Sequence, residues 1–526
     1  MYLLPGGTDT NILSTSFTDQ LAAGNIALKV GGYGLGLGRP QKNNFAPRVG
    51  FAYQVSPKLV ARGGIGLFYN AFENQGYGPN DGENYPFVYN FSWFNTNDYT
   101  PLGSNPVQNP NPWSNCSASA STGGIATIDT GFLCIPLSPS AVNAAGLGLQ
   151  GLQFAFKTPY TLSANFTLQY QLTPTMSVQA GYITTQGRHL QTGLGANNVG
   201  QLLPAAMPSY ASTNDYIPFP GFGGGSYQVT EGSSTYNGLQ TKVEKQFGNG
   251  LNFLATYTWS KTFSSAGDLL NGGNVGGGRA NGIPGLGLAK DRGLANFDIR
   301  NVFHLSGGYA LPFGKNKRYM AGGGKVTQAV LGGWSVNWIA TLEGGQPITI
   351  NCPTGTASGT GCFALNVPGQ SQKLGLHTDA LGKLNWFGNP AAFTQPCQLG
   401  ADIDPVTFAV TNLAPIPDSP AGCVALDGAG ALGGGPATTT APGFRRLDFS
   451  LFKDFALSER FTLQFRAEFF NILNHPNFNA PGFGGNGVVS IGGATNFNDP
   501  HFGEIGSTRD APYDPRQVQF ALKLYF

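Results

Sequence analysis

Hydrophobic and polar residues alternate along several stretches of the chain, each about ten residues long. Four clear cases are Leu162–Tyr170, Leu251–Ser260, Phe461–Phe469 and Val518–Phe526. Successive side chains of a β-strand point to opposite faces, so each stretch predicts a strand with one apolar and one polar face. A tilted strand of this length can cross a lipid bilayer. A soluble β-sandwich would show the same alternation, so the connections between the strands have to distinguish a membrane barrel from a soluble sandwich.

The connections alternate between short turns and long segments. Short turns are predicted at Ser56–Lys58, Thr173–Thr175, Gly248–Gly250 and Ala456–Glu459, with a longer connection at Pro312–Gly332 on the same side. The long segments between them are Ala71–Thr158, His189–Gly225, Ser264–Asn296, Gln346–Gly443 and Asn474–Pro500. Tight periplasmic turns alternating with extended external loops are typical of outer-membrane barrels. We therefore predict an all-β, antiparallel transmembrane β-barrel with long extracellular loops and a periplasmic C-terminus.

The composition favours a barrel over a soluble domain or a bundle of membrane helices. Charged residues make up 11% of the 526 residues, whereas a soluble domain carries about 25%. The chain has 78 glycines, 12% aromatic residues and a mean hydropathy of −0.10. Apolar residues are thus diluted among small polar ones, as expected of a wall between lipid and water. The net charge of +2 gives no indication of a nucleic-acid partner.

The number of predicted strands bears on the size of the barrel. About twelve candidate strands follow from Ile26 onward, whereas large plugged transporters have about 22. Residues Met1–Asp19 show neither the basic stretch nor the apolar core of a signal peptide. We expect residues 1–526 to be the C-terminal portion of a larger barrel. A smaller barrel that closes on itself is the alternative.

The six cysteines all lie in predicted long loops. In chain order they form three local pairs, Cys116 with Cys134, Cys352 with Cys362 and Cys397 with Cys423. Loop disulfides formed in an oxidising compartment would fit this order, although spacing alone does not fix the pairing. Neither a C-x-x-C motif nor paired histidines suggest a zinc site. The sequence predicts no catalytic residue, no metal and no cofactor.

Three charged residues belong to the polar faces of the last predicted strands. Arg466 and Glu468 share one face, and Asp448 lies on the preceding strand. On a lipid face each charge would cost about 2–4 kcal/mol near the midplane, so these faces are expected to point inward. The charges either contact a plug or line a channel, or they form ion pairs that stabilise the wall. We favour ion pairs. Aromatic residues on the apolar faces are expected to form interfacial girdles: Tyr257, Trp259, Tyr309, Trp334 and Trp338. Stacking platforms for a sugar ligand are the alternative.

The last strand ends in an aromatic residue. Leu524, Tyr525 and Phe526 close the alternating stretch, and outer-membrane barrels commonly end in this way. We interpret these three residues as a signal for insertion into the outer membrane. The alternative is that the strand ends in phenylalanine without any such role.

The order and spacing of several segments resemble the C-terminal β-barrel of the Oar-like TonB-dependent transporters of the outer membrane. The resemblance covers nearly the whole chain. It rests on these segments: NNFAPRVGFAYQ, LVARGGIGLFYN, TPYTLSANFTLQYQLTPTMSVQAGY, STYNGLQTKVEKQFGNGLNFLATYTWSKTFS, DRGLANFDIRNVFHLSGGYALPFG, LGGWSVNWIATLEGGQPITI, NPAAF, FRRLDFSLFKDFALSERFTLQFRAEFFNILNHPNF, FGEIGSTRDAP and RQVQFALKLYF.

The resemblance implies uptake of a bulky ligand across the outer membrane, driven through TonB. It also implies a plug domain inside the barrel and a TonB box, neither of which is recognisable in residues 1–526. A passive porin and an adhesion or structural barrel are the alternatives within the outer membrane, and a secreted soluble β-protein is the alternative outside it. The ligand is unknown, and the long loops Ala71–Thr158 and Gln346–Gly443 are the expected contributors to its site.

Overall fold

Long antiparallel strands dominate the computed structural model. The residues that it describes are 1–32, 41–70, 84–88, 139–141, 144, 147–196, 219, 221–223, 225–248, 250–265, 291–353, 362–372, 374–386, 389–397, 399–403, 410–415, 422–424, 433–435, 437–482, 491, 493–509 and 515–526. Among these residues the helices are α1 (Thr15–Ala23), α2 (Lys325–Leu331) and three 3-10 turns at Thr10–Ile12, Pro139–Ala141 and Pro390–Ala392.

The described strands, in chain order, are β1 (Tyr2–Leu4), β2 (Leu28–Val30), β3 (Arg48–Ser56), β4 (Leu59–Tyr69), β5 (Gly151–Leu152), β6 (Tyr160–Thr173), β7 (Met176–Ala196), β8 (Gly225–Gly248), β9 (Leu251–Ser264), β10 (Gly293–Leu294), β11 (Asn301–Ala310), β12 (Trp334–Glu343), β13 (Pro347–Ile348), β14 (Leu365–Asn366), β15 (His377–Thr378), β16 (Leu384–Asn385), β17 (Phe393–Thr394), β18 (Leu399–Ile403), β19 (Val410–Pro415), β20 (Thr439–Thr440), β21 (Phe444–Ala456), β22 (Thr462–Phe470) and β23 (Gln517–Tyr525).

One large sheet contains thirteen of the described strands. Its main path runs β3-β4-β6-β7-β8-β9-β11-β12-β21-β22-β23, with the short strands β5 and β10 beside it. Every neighbouring pair along the path is antiparallel. Each long strand therefore pairs with the next long strand of the chain, the up-and-down order of a barrel wall.

The pairing register brings the apolar residues of neighbouring strands into common rows. One row across six strands consists of Leu251, Tyr309, Val336, Leu451, Ala467 and Phe520. The adjacent row consists of Asn252, Gly308, Asn337, Ser450, Glu468 and Gln519. Residues directly opposite each other in a sheet point to the same face. The sheet thus has one apolar face and one polar face, as the alternation in the sequence predicted.

The apolar face is open to the surroundings. Phe166 is 47% exposed, and Phe520 and Leu522 are 67% and 69% exposed. Soluble proteins rarely leave a continuous apolar surface of this extent uncovered. This face therefore requires an apolar medium around the sheet. No helix in the described ranges is both long enough and apolar enough to span a membrane.

The tight turns lie where the sequence placed them. Tight turns join β3 to β4, β6 to β7, β8 to β9 and β21 to β22 at one end of the sheet, here called the short-turn end. The β11–β12 connection lies at the same end and contains α2. Since β23 runs back from the opposite, long-loop end, Phe526 also lies at the short-turn end.

Two element boundaries differ from the predicted ones. Strands β7 and β8 pair from Ala196 and Gly225 inward, so the loop predicted to begin at His189 begins later. His189 has a φ of 55° at a register shift, and this bulge interrupts the alternation that sequence reading depends on. The segment starting at Ile26 is not a wall strand either: β2 forms a short parallel pair with β1.

The first thirty residues fold against the long loops. Ser14 caps the N-terminus of helix α1, because its Oγ accepts a hydrogen bond from Phe17 N at 3.1 Å. Tyr85, 2% exposed, joins this segment to a loop, because its hydroxyl accepts from Ser14 N at 2.6 Å and donates to Pro139 O at 2.8 Å. Phe17 packs on the Tyr85 ring with centroids 4.6 Å apart. These contacts define an N-terminal lobe at the long-loop end.

The large sheet ends at β3 on one side and at β23 on the other. Within the ranges that the structure describes, neither outer edge is paired with a further strand. Eleven long strands thus form an open wall rather than a closed cylinder, close to the twelve counted from the sequence.

Candidate functional site

The polar face carries the charged residues that the sequence singled out. Asp448 accepts two hydrogen bonds from Arg446 Nε, at 2.9 and 3.2 Å, and one from Asn471 N at 2.8 Å. Its ion-pair partner therefore lies two residues away on the same strand, and it is not Arg466. Glu468 lies between Ser450 and Gln519 in the register.

Arg466 forms hydrogen bonds with Gln464 on its own strand and with Tyr525 on the last strand. Its Nε donates to Gln464 Oε1 at 2.6 Å, and its Nη2 donates to Tyr525 OH at 3.1 Å. Tyr525 is thus on the polar face, whereas the alternation of the strand places Leu524 and Phe526 on the apolar one. Phe526 is 95% exposed. The three residues of the predicted insertion signal therefore occupy both faces of the wall at the short-turn end.

Aromatic residues of the apolar face lie at different heights of the sheet. Tyr309 and Trp334 are next to the short-turn end, whereas Tyr257 and Trp259 are the seventh and ninth of the fourteen residues of β9. Trp338 is midway along β12. Tyr309 and Trp334 have the position of an interfacial girdle at the short-turn end, and a girdle at the other end stays a prediction.

A cavity of about 260 Å³ lies on the polar face near the short-turn end. It is bounded by the turns after β3 and β6, and its lining includes Arg62, Gln169, Ser177 and Glu244. All four residues belong to the polar face by register. The polar face therefore offers hydrogen-bonding groups and both signs of charge to whatever lies against it.

The loops after β12 and β22 fold together into a second unit, here called the C-terminal lobe. Its buried core includes Ile350, Phe393, Phe497 and Phe502. The Phe393 ring is 5.6 Å from that of Phe502 and 6.2 Å from that of Phe497, centroid to centroid. The predicted loops Gln346–Gly443 and Asn474–Pro500 are therefore partly an ordered unit with its own core, which periodicity did not indicate.

Two disulfides hold the C-terminal lobe. One joins Cys352 to Cys362 with Cα atoms 5.3 Å apart, and the other joins Cys397 to Cys423 with Cα atoms 4.9 Å apart. Cys116 and Cys134 lie outside the described residues. The backbone beside the second bridge is also paired, since Cys397 N donates to Val424 O and Val424 N donates to Gln395 O, both at 2.9 Å.

A cavity of about 360 Å³ opens in the C-terminal lobe next to this second disulfide. Its lining is uncharged: Val367, Pro390, Ala391, Phe393, Thr394, Gln395, Gly422, Phe497 and Asn498. The Thr394 hydroxyl donates to Gly422 O at 2.8 Å and so fixes one wall. Aromatic surface with a few amides suits an organic ligand better than an inorganic ion. This cavity is the candidate ligand site; sequence analysis had predicted only the loops that contain it.

An acid–base pair lies in the same chain segment as the lobe core residue Phe502. His501 Nδ1 is 2.6 Å from Glu504 Oε2, and His501 N donates to Asp499 Oδ1 at 2.9 Å. The hydrogen bond with Glu504 raises the pKa of His501 above its usual value. In the part of the chain described here, no three potential ligands come together as a metal site.

A sheet with one lipid-compatible face, one polar face and strictly sequential antiparallel strands is the wall of a membrane β-barrel. Residues 6–519 match the family model described as outer membrane beta barrel domain. The match covers most of the chain, and the protein therefore belongs to this family. It is a protein of the outer membrane, with its short-turn end in the periplasm and its long loops outside.

Several solved structures show a distant likeness. The ferric-catecholate import receptor Fiu from K12 E. coli is 9% identical over 91% of this chain and 34% of its own, with a TM-score of 0.34. The siderophore receptor PiuA from Acinetobacter baumannii is 8% identical over 91% and 35%, with a TM-score of 0.36. The ferric citrate transporter FecA is 9% identical over 91% and 38%, with a TM-score of 0.33.

The chain thus spans little more than a third of the length of these structures. Sequence identities and TM-scores this low do not assign a function. No curated protein matches the chain significantly.

Proposed function

We propose that the protein forms the C-terminal part of the wall of an Oar-like TonB-dependent transporter, with the C-terminal lobe taking part in capture of a bulky organic ligand. The observation that carries the proposal is the coincidence of the family-like segments with the wall. NNFAPRVGFAYQ covers Arg48–Gln54 of β3, LVARGGIGLFYN contains β4, and RQVQFALKLYF contains β23. The other long segments coincide with the strands between β4 and β23, in the same order along the chain.

The two open edges support a larger barrel. An unpaired backbone N–H or C=O in the hydrocarbon region costs several kcal/mol, and both β3 and β23 present such groups along one side. Additional strands that pair with β3 and β23 would remove this cost. A wall of about 22 strands encloses a lumen wide enough for a plug.

The polar face supplies contacts for a plug. Arg62, Glu244 and Glu468 are charged residues on this face. In this proposal TonB acts on the plug, and the wall holds the plug through such groups and through amides such as Gln169. No chemical conversion of the ligand is part of the proposal.

The proposal is tested on the protein purified in mild detergent from the outer membrane of the cells that make it. A transporter is expected to be retained by an immobilised periplasmic fragment of TonB and to leave liposomes impermeable to glucose. A passive porin would not be retained and would make the liposomes swell in glucose, which would refute the proposal. An adhesion barrel would give neither retention nor swelling, and would also refute it.

A further inference from the structure

The connection between β11 and β12, residues 311–333, is unlike the other turns at the short-turn end. It contains Lys315, Lys317, Arg318 and Lys325 and no acidic residue. All four cationic side chains are exposed. This segment, here called the basic turn, therefore concentrates four positive charges in a protein whose net charge is +2.

The same segment exposes apolar side chains on its helix. Val326 is 78% exposed and Val330 is 58% exposed, and residues four apart lie on one face of a helix. Leu331 adds a further 41% exposed side chain. Valines facing outward beside lysines and an arginine are the composition of a helix that lies in a lipid–water interface.

The basic turn has a defined shape. Gln328 Oε1 accepts a hydrogen bond from Lys315 N at 2.5 Å, and Gln328 Nε2 donates to Met320 O at 2.8 Å. One side chain of α2 thus ties down the loop that carries Lys317 and Arg318. The backbone that carries Lys315, Lys317 and Arg318 is consequently held in one conformation at both its ends.

The C-terminal end of the basic turn is attached to the lipid side of the wall. Trp334 Nε1 donates to Val330 O at 2.8 Å, and Lys453 Nζ donates to Gly332 O. Trp334 and Lys453 are direct neighbours in the register, in the same line as Phe465 of β22. They therefore point to the apolar face, and α2 ends at the outer rim of the wall, level with the periplasmic leaflet.

We propose that the basic turn is a docking surface for anionic phospholipids of the periplasmic leaflet. The phosphates bind the four cations, and Val326 and Val330 enter the region between headgroups and acyl chains. Charge complementarity and the position at the lipid-facing rim both favour lipid over an acidic protein, which would not require exposed valines next to the acyl chains. The proposal depends on the outer-membrane wall alone and not on the transport function.

Binding is measured with fluorescent phosphatidylglycerol and phosphatidylcholine titrated onto the purified protein in mild detergent. Replacing Lys315, Lys317, Arg318 and Lys325 by Gln is expected to weaken phosphatidylglycerol binding by at least about tenfold, since each cation near an anionic surface contributes about fivefold. Phosphatidylcholine binding should change little. The control replaces four exposed cations of the long-loop end by Gln: Lys42, Lys157, Arg292 and Lys383. This control should bind phosphatidylglycerol like the wild type.

Unchanged phosphatidylglycerol binding in the basic-turn variant, or an equal loss in the control, would overturn the proposal. A second measurement does not depend on the fold of that variant. A photo-crosslinking amino acid at Val326, activated in intact cells, is expected to give a phospholipid adduct. An adduct to a protein, including a second copy of this chain or a plug, would contradict the assignment of lipid as the occupant, as would the absence of any adduct.

Discussion

Truncating Phe393 should unfold the C-terminal lobe and leave the wall intact. The Phe393 side chain is 5% exposed and lies between the rings of Phe497 and Phe502. Replacing a buried phenylalanine by alanine costs about 3–5 kcal/mol. That loss is comparable to the roughly 3 kcal/mol that one short-loop disulfide contributes.

Native-state hydrogen exchange measures the effect directly. In the lobe, Ala364 N donates to Ile350 O at 2.9 Å and Trp386 N donates to Gly503 O at 3.0 Å. In Phe393→Ala these two amides should lose protection by roughly 10²- to 10³-fold or more, since about 1.4 kcal/mol corresponds to a factor of ten. Amides of the β12–β21 ladder should keep theirs, because the wall does not use the lobe core.

The matched control is Leu381→Ala in the same lobe. Leu381 is 56% exposed, and a surface change of this kind is expected to stay within about 0.5 kcal/mol. The reasoning is refuted if Phe393→Ala leaves the lobe amides protected. It is also refuted if the wall loses protection in parallel, because lobe and wall would then unfold as one unit.

Three further predictions concern separate features. Cys397 and Cys423 are 26 residues apart in the sequence, and replacing both by alanine removes the disulfide between them. This change should destabilise the lobe by about 3 kcal/mol. A protease added to intact cells should then cut the lobe of the variant, whereas resistance equal to that of the wild type would contradict this prediction. Because the pKa of His501 is raised by Glu504, the pair stabilises the lobe fully below the unfolded-state pKa of histidine and loses this contribution as the pH rises through the raised value. The protection factors of the lobe amides, which are corrected for the intrinsic pH dependence of exchange, should therefore fall on that rise in the wild type and not in His501→Gln. Identical profiles of protection factor against pH would argue against the pair. Deleting Phe526 should reduce the heat-modifiable, membrane-inserted fraction on gels relative to the exposed-loop variant Leu381→Ala, and an unchanged fraction would remove Phe526 from the insertion signal.

The wall could be predicted from the sequence because a strand between lipid and water needs opposite polarity at successive residues. Val336, Asn337 and Trp338 show this rule, and the structure places them on alternate faces. Ile339 does not show it. The register places Ile339 opposite Asp448 on the polar face, so an apolar residue faces inward, and hydrophobicity alone would assign it wrongly.

The two lobes could not be predicted in this way. Phe393, Phe497 and Phe502 come from two loops separated by the strands β21 and β22, and no short-range period links them. Their proximity depends on how the loops fold over one end of the wall. The partner of Asp448 illustrates the same limit on a smaller scale, because polarity placed Asp448 and Arg466 on one face but did not show that Arg446 is nearer.

The central claim is that one face of the sheet contacts lipid and the other contacts water. A nitroxide scan of residues 336–341 in β12 tests it, in outer-membrane vesicles and with Cys116 and Cys134 replaced by serine. The four described cysteines are already held in disulfides. Collisions with oxygen, which concentrates in lipid, should peak at Val336, Trp338 and Ala340. Collisions with a water-soluble nickel chelate should peak at Asn337, Ile339 and Thr341. A scan without this two-residue period, or one that places Ile339 in lipid, would contradict the account.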